Sequence, residues 1–345
     1  MSAPLISVVI SNKNGSQWLP KCFASLRQQT MADQLEIVMA DNCSTDGSPE
    51  LARRELADFP RAKVLNNPRD GGIAGGQNAG AAAATGKLLL FLNNDTWLEP
   101  DCLEQLVREF NAQEAAAASP LGMDYDDNTF QSIGSSGIDW LGLPTGQPPA
   151  PLKECFTVTG CGFLVDAELF HRLGGFDEDF YLNVEETDLS WRIWIAGGKI
   201  IGVPAARLHH RGAAGVNPAG QTKVLESRTS DTKRYLSNRN WILSMLKNSQ
   251  HIFLLLLIPH LLLLLLEAAA SLVLIRRWSH VRRAYLAAIV DAFRRLPHVR
   301  QWRRKIRTFR RRGDFWMLRF LRLKPSRWEE VRRLFTVGVP KVDKR

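Results

Sequence analysis

The stretch KLLLFLNNDTW, residues 87–97, decides how this chain folds. Its consecutive apolar residues Leu88, Leu89, Leu90, Phe91 and Leu92 leave no face for water. That predicts a strand buried on both sides, central in a parallel sheet. The run stops at Asn93, Asn94 and Asp95, so these stand at the strand's carboxyl end, the edge where open α/β sheets hold ligands. A carboxylate there suits a divalent cation held against a diphosphate, because hard cations take oxygen ligands and share their shell with phosphate. The plainer alternative is a capping turn before the helix that Pro100 begins, since Asn and Asp favour turns.

Working outward, the same plan recurs three times. LISVVI (5–10), LEIVMA (35–40) and AKVLNN (62–67) are short apolar runs. Polar loops and helical patterns follow them: about 17–29 with Trp18, Leu19, Phe23 and Leu26 on one face, from about Pro49, and an alanine-rich run to Thr85. Such alternation predicts a doubly wound, mostly parallel α/β sheet with its loops gathered along one edge. Those loops carry Asp41, Asp46, Asp70 and Asp95. Two nucleotide motifs fail: GGIAGG (71–76) lacks the GxG spacing, and GAAAATGKL (80–88) has neither Walker A spacing nor its Ser/Thr. The glycines then serve either a turn with close helix–sheet contact or a ligand.

SVVISNKNG (7–15), VMADNCSTDGS (38–48), NPRDGGIAGGQNAG (67–80) and LLFLNNDTWLEPD (89–101), in that order, resemble the nucleotide-sugar-binding half of family 2 glycosyltransferases, inverting enzymes with a GT-A fold. Residues 158–210 are similar to their acceptor half, especially in the branch of bacterial rhamnosyltransferases. The resemblance spans about 5–245. It implies that Asp41 contacts the donor base and that Asp46 lies nearby. Asp70, Gly72, Asn78 and Asn94 would line the donor pocket. Asp95 matches the last acid of a DxD-type motif that holds Mg²⁺ or Mn²⁺ on the diphosphate. Asn93 stands where an acid is often found, so one ligand charge is missing.

Inversion at an anomeric carbon is a single displacement, so a carboxylate must take the acceptor proton while a cation stabilises the leaving diphosphate. Glu185, Glu186 and Asp188 open a predicted helix, where acids also suit the helix dipole. The family's motif maps its catalytic base onto Glu186, with Asp188 as runner-up and more in keeping with an orienting or acceptor-binding role. Asp177, in GGFDE, reads as a cap or brace. After the strand KIIGVP and a short loop, His209 is the implied second metal ligand and His210 its alternative. Arg239, or Arg211, would help neutralise the diphosphate. The interval 124–153, rich in Gly, Pro, Ser and Asp, reads as a long loop on the acceptor side.

Charge divides the chain. Residues 251–345 carry 23 Lys+Arg against 6 Asp+Glu, a net +17, which leaves −7 on residues 1–250. The arm, not the body, then seeks an anionic surface. Five cysteines without a CxxC pair argue against a disulfide framework and fit a reducing cytosol. The first residues read as no signal peptide. IFLLLLIPHLLLLLLEAAASLVLI (252–275) is long enough to cross a bilayer. Pro259, His260 and Glu267 interrupt it, and both flanks belong on the cytoplasmic side, which predicts a segment that dips into or lies along the inner leaflet. Beyond it, Arg clusters interleaved with Trp, Phe and Leu suit interfacial helices on anionic lipid. No nucleic-acid-binding motif accompanies them, so no nucleic-acid partner is expected.

The expected organisation is a nucleotide-sugar-binding half (1–120), an acceptor and catalytic half (121–248) and a membrane-associating extension (249–345). The expected function is transfer of a sugar, rhamnose from dTDP-rhamnose first, to a lipid-linked saccharide on the cytoplasmic face of a bacterial inner membrane, where the protein is peripheral or monotopic. A catalytically impaired scaffold subunit and a nucleotidyltransferase are the alternatives.

Overall fold

The computed structural model describes residues 3–146, 154–212, 228–326 and 341–343. Strand–helix alternation governs the first half. β1 (Ile6–Asn12), β2 (Leu35–Asp41), β3 (Ala62–Asn66) and β4 (Leu88–Asn93) alternate with α1 (Leu19–Arg27), α2 (Ser48–Glu55) and α3 (Gly72–Ala83). The strands are parallel in the order β3-β2-β1-β4. Their register brings Asn12, Asp41 and Asn66 level with one another, and Ser11 level with Asn93. The polar strand ends therefore share one edge, as doubly wound sheets require.

The KLLLFL run is buried on both faces, as its unbroken apolar character demands. Leu89 and Phe91 join one core with Val9, while Leu88, Leu90 and Leu92 join the other with Val8 and Ile10. Alternate strand residues point to opposite faces, so one strand feeds two layers. Each such Leu or Phe contributes roughly 1.5–3 kcal/mol by leaving water.

The second half is less regular than the sequence predicts. It comprises β5 (Thr96–Leu98), α4 (Cys102–Ala112), β6 (Ala117–Asp124), β7 (Phe130–Ser132), β8 (Gly137–Asp139), β9 (Pro144–Thr145), β10 (Gly162–Asp166), α5 (Ala167–Leu173), α6 (Glu185–Ile195) and β11 (Ile200–His210). The sheet continues β4-β10-β6-β11-β5. Here β10 is antiparallel to β4 and β6, and β5 is antiparallel to β11. Two expectations are corrected. Residues 124–146 are no open loop but hold three short strands, while 147–153 lie outside the described residues. The histidines lie within β11 rather than after a loop, because the strand resumes pairing after a register shift between Val203 and Arg207. Pro204, which cannot donate to a ladder, sits in that shift.

The C-terminal part begins with β12 (Arg228–Ser230), α7 (Asp231–Asn248), α8 (Ile252–Leu255) and α9 (Leu257–Ile275). It goes on with α10 (Trp278–Val281), a π-helical turn (Arg282–Ala287), α11 (Ala288–Arg294), α12 (Leu296–Phe309) and α13 (Asp314–Met317). Leu257, His260, Leu264 and Ala268 form a buried stripe along α9, whereas Leu255, Ile258, Leu262, Leu265, Leu266 and Val273 are exposed. Ala268, Tyr285, Ala292, Val299 and Ile306 belong to the same core as Phe163 and Trp191. The extension thus shares the body's core.

Candidate active site

A cleft of about 1540 Å³ opens at the carboxyl edge of the sheet. Asp70, Gly72, Asn94, Asp95 and Glu186 line it, brought there from three separate stretches of sequence. Gly72 has φ +65°, and a Cβ on it would strike the Tyr181 carbonyl, so this position requires glycine. Gly80 serves contact instead: a Cβ there would lie 2.5 Å from Val9 Cγ1, so α3 packs directly on β1.

On the donor side, Asp70 accepts from the Gly72 N–H at 3.0 Å and from the Tyr181 hydroxyl at 3.0 Å, with Lys13 at 3.4 Å. Asn94 donates to Asn12 Oδ1 at 2.7 Å. Asp41 is turned inward. It accepts from Asn12 Nδ2 at 2.8 Å, from the Ser44 N–H at 2.8 Å and from Ser44 Oγ at 2.6 Å, and its neighbour Asn42 is the residue that lines the cleft. Asp46 braces the loop through Ser16 and Ser48. Burial opposes its ionisation, yet hydrogen bonds from Ser48 and Ser16 outweigh it and pull Asp46 down to about 2. Asn78 clasps Phe176, donating to its carbonyl at 2.9 Å and accepting its N–H at 2.9 Å, behind the cleft wall. Asp41, Asp46 and Asn78 therefore hold the donor loops from behind.

Of the two histidines, His210 faces the cleft, 3.4 Å from Asp95 Oδ1. His209 points the other way. It is stacked 3.7 Å from the Trp97 ring, with its nitrogens at 2.9 Å from the Asp124 carbonyl oxygen and 3.3 Å from Glu99. This corrects the assignment of His209, since neighbours on a strand point to opposite faces. The Asp95–His210 pair, beside the amides Asn93 and Asn94, fits a Mg²⁺ or Mn²⁺ ion that completes its shell with phosphate and water oxygens. It does not fit a closed site, for no group of three His, Cys, Asp or Glu side chains converges among the described residues.

Glu186 also lines the cleft, where Thr187 Oγ1 donates to it at 3.1 Å and a Cβ on Gly160 would lie 3.6 Å from its carboxyl carbon. Burial pushes its pKa up. Burial, and then the charge of Glu186, push neighbouring Glu185 well above the carboxylate range. The two adjacent buried carboxyls titrate as a pair, and both are held above the ordinary carboxylate value. Asp188 takes no part in the cleft. It is fully buried against Arg192 at 2.9 Å, Lys247 at 3.1 Å and Asn248 at 2.8 Å. Asp177 is a brace, paired with Lys247 at 2.5 Å and His298 at 3.0 Å.

Arg239 lies away from the lining too. It donates to the Asp179 carbonyl at 2.5 Å and to Asn240 Oδ1 at 2.9 Å. Cleft residues that the sequence reading passed over include Lys233, Ser237 and Trp241, spaced four apart along one face of α7. That spacing was their only signal.

The turn leading into α6 is strained. Tyr181, Asn183 and Val184 have φ of 61°, 67° and 73°, a region that L-residues avoid. The Leu182 N–H bonds to the Phe180 carbonyl at 2.6 Å, closing a γ-turn at Tyr181. Each such residue costs roughly 1–3 kcal/mol, and strain of this kind persists only where surrounding structure enforces it.

A doubly wound sheet that gathers carboxylates from separate loops around one deep cleft is the GT-A architecture of glycosyltransferases. TarS residues 1–349 of S. aureus share the fold, with a TM-score of 0.56 at 15% identity over 88% of each chain. So does a mannosyltransferase from Pyrobaculum calidifontis solved with GDP-Man and Mn²⁺, with a TM-score of 0.53 at 16% identity over 90% of this chain and 86% of that one. Residues 7–174 match the family model described as glycosyl transferase family 2. The putative glycosyltransferase EpsH of Bacillus subtilis is 34% identical over 108 residues, 31% of each chain. The O-antigen biosynthesis protein RfbC of Myxococcus xanthus is 27% identical over 226 residues, 61% of this chain and 18% of that one. The chain thus spans less than a third of the length of either relative.

Proposed function

We propose that this cleft transfers a glycosyl group from a nucleoside-diphosphate sugar to an acceptor hydroxyl with inversion. The observation that carries this reading is that Glu186 and the Asp95–His210 pair line one cleft beside Asp70 and Gly72. The acceptor oxygen attacks the anomeric carbon while the bond from that carbon to the phosphate oxygen breaks. The acceptor proton passes to Glu186, and the nucleoside diphosphate leaves with the electron pair. Asp95 and His210 would hold a divalent cation, which supplies charge stabilisation to the leaving diphosphate. The donor lies against Asp70, Gly72 and Asn42. Rhamnose from dTDP-rhamnose is the leading donor, supported by the likeness of residues 158–210 to rhamnosyltransferases. Screening nucleotide sugars for nucleoside diphosphate release, with and without Mg²⁺ or Mn²⁺ and lipid-linked saccharide, tests the reading. Release of pyrophosphate from a nucleoside triphosphate would replace it with nucleotidyl transfer.

The pH profile gives a second check. A base works only when ionised, and burial raises the pKa of Glu186. Activity is therefore present above that raised pKa and lost as pH falls through it. The acid limb of kcat/KM should have its midpoint above the roughly 4.3 of an unperturbed glutamate. A midpoint at or below that value would assign the proton to another group.

We propose further that the protein works on an anionic inner leaflet, where a lipid-linked saccharide is anchored. Residues 252–275 have a mean hydropathy of 2.5, and the exposed face of α9 bears leucines while its other face is packed on the body. A helix so attached lies along a leaflet more readily than across it, since crossing would strip its buried stripe from the core. Arginines follow directly at 276, 277, 282 and 283, as charge attraction to such lipid requires. Leu262→Glu/Leu266→Glu changes only exposed positions and removes about 3–6 kcal/mol of lipid burial. Retention on anionic vesicles in flotation should then fall by about 100-fold or more. Undiminished retention would remove α9 as the contact.

A further inference from the structure

The strained turn between Phe180 and Val184 delivers Glu185 and Glu186 to the cleft, and something must hold it. Asn240 on α7 is fully buried and does so with one amide. Its Nδ2 donates to the carbonyls of Phe180 at 2.9 Å, Leu182 at 3.0 Å and Asn183 at 2.8 Å. Its Oδ1 accepts from Arg239, which itself reaches the Asp179 carbonyl. No other uncharged side chain of similar size offers a donor and an acceptor in this arrangement.

A second hold comes from the opposite side. Arg295, at the junction of α11 and α12, pairs with the Asp179 carboxylate at 2.6 Å and with Asp291 at 3.1 Å. Asp291 also faces Arg239 at 3.6 Å and accepts from the Tyr235 hydroxyl at 2.7 Å. Asp179 and its carbonyl are thus gripped from α7 and from the C-terminal extension together. Without that grip the turn would relax toward ordinary φ values, and Glu186 would move with it.

Resting on the transfer reading above, we propose that Asn240 is a positioning residue for Glu186 and that Arg295 is its outer brace, so that the basic extension is part of the catalytic scaffold as well as the membrane arm. Asn240→Asp turns the Nδ2 donor into an oxygen facing three carbonyl oxygens at nearly constant volume. Misplacement of a reacting group by about 1 Å costs about 100-fold, so kcat should fall about that much while donor KM stays within about twofold. Arg295→Met, at a partly exposed site, should lower kcat roughly tenfold with the same split.

Amide hydrogen exchange supplies a readout that does not depend on turnover. Protection across 181–188 should fall in both variants while that of β1 and β4 is kept. Wild-type protection there, or kcat within about threefold of wild type, would overturn the proposal, as would a donor KM that rises in step with the loss of kcat. If Asn240→Asp does not fold, Arg295→Met decides by the same two measurements. A wild type that releases no nucleoside diphosphate sinks the transfer reading alone, since the exchange result still judges the clamp.

Discussion

Glu186→Gln should lower kcat by about 10²–10⁴-fold while leaving donor affinity nearly unchanged. Glutamine keeps the length of the side chain and an oxygen to accept from Thr187, so the turn and the start of α6 lose nothing they depend on. What it removes is a carboxylate able to take a proton. The effect belongs to kcat because the proton moves only as the acceptor oxygen attacks, whereas the donor is held across the cleft by Asp70 and Gly72. Single-turnover release of nucleoside diphosphate, with calorimetry of the same nucleotide sugar, separates the two. A rate within about tenfold of wild type would remove Glu186 as base. Burial of neighbouring Glu185, one of whose oxygens has no hydrogen-bond partner among the described residues, strengthens the contrast. That oxygen lacks the hydroxyl contact that Glu186 receives from Thr187.

Asp95→Ala should cost about 10²–10³-fold in kcat and raise the Mg²⁺ or Mn²⁺ concentration needed for half-maximal rate. Asn93 and Asn94 bring no charge, so Asp95 is the carboxylate that the turn after β4 offers the cation. His210, 3.4 Å away, would be left as a single neutral donor for a hard ion. The measurement need not rest on turnover: binding of Mn²⁺ with nucleoside diphosphate, followed by electron paramagnetic resonance, should weaken in step. Unchanged metal dependence with full activity would mean that the leaving group is stabilised without Asp95, and Lys233 in the same cleft would then be the cation to examine.

Much of this was legible beforehand because it depends on pattern along the chain. KLLLFL could be read as a central strand since burial on both sides erases periodicity, and Asp95 could be placed at the sheet edge since the apolar run ends just before it. Other choices turned on one residue or one helical turn. His209 and His210 are chemically alike, and only the register of β11 after its shift at Pro204 aims His210 at Asp95. Glu186 and Asp188 differ by about 200° around a helix, so one faces the cleft and the other a buried cluster of cations. Arg239 reads as a surface cation, yet α7 is packed between the body and the extension, which takes that arginine to backbone carbonyls instead of a diphosphate.

The sequence by itself determined four strand-loop-helix units, the common edge of their polar loops and the apolar segment followed by arginines, because hydrophobic pattern and chain order are local properties. The tertiary structure alone decided which member of each candidate pair enters the cleft, and that the basic extension braces the turn before Glu186. Those outcomes depend on the direction of side chains and on contacts between residues more than 50 positions apart, and neither is written in any single stretch of the chain.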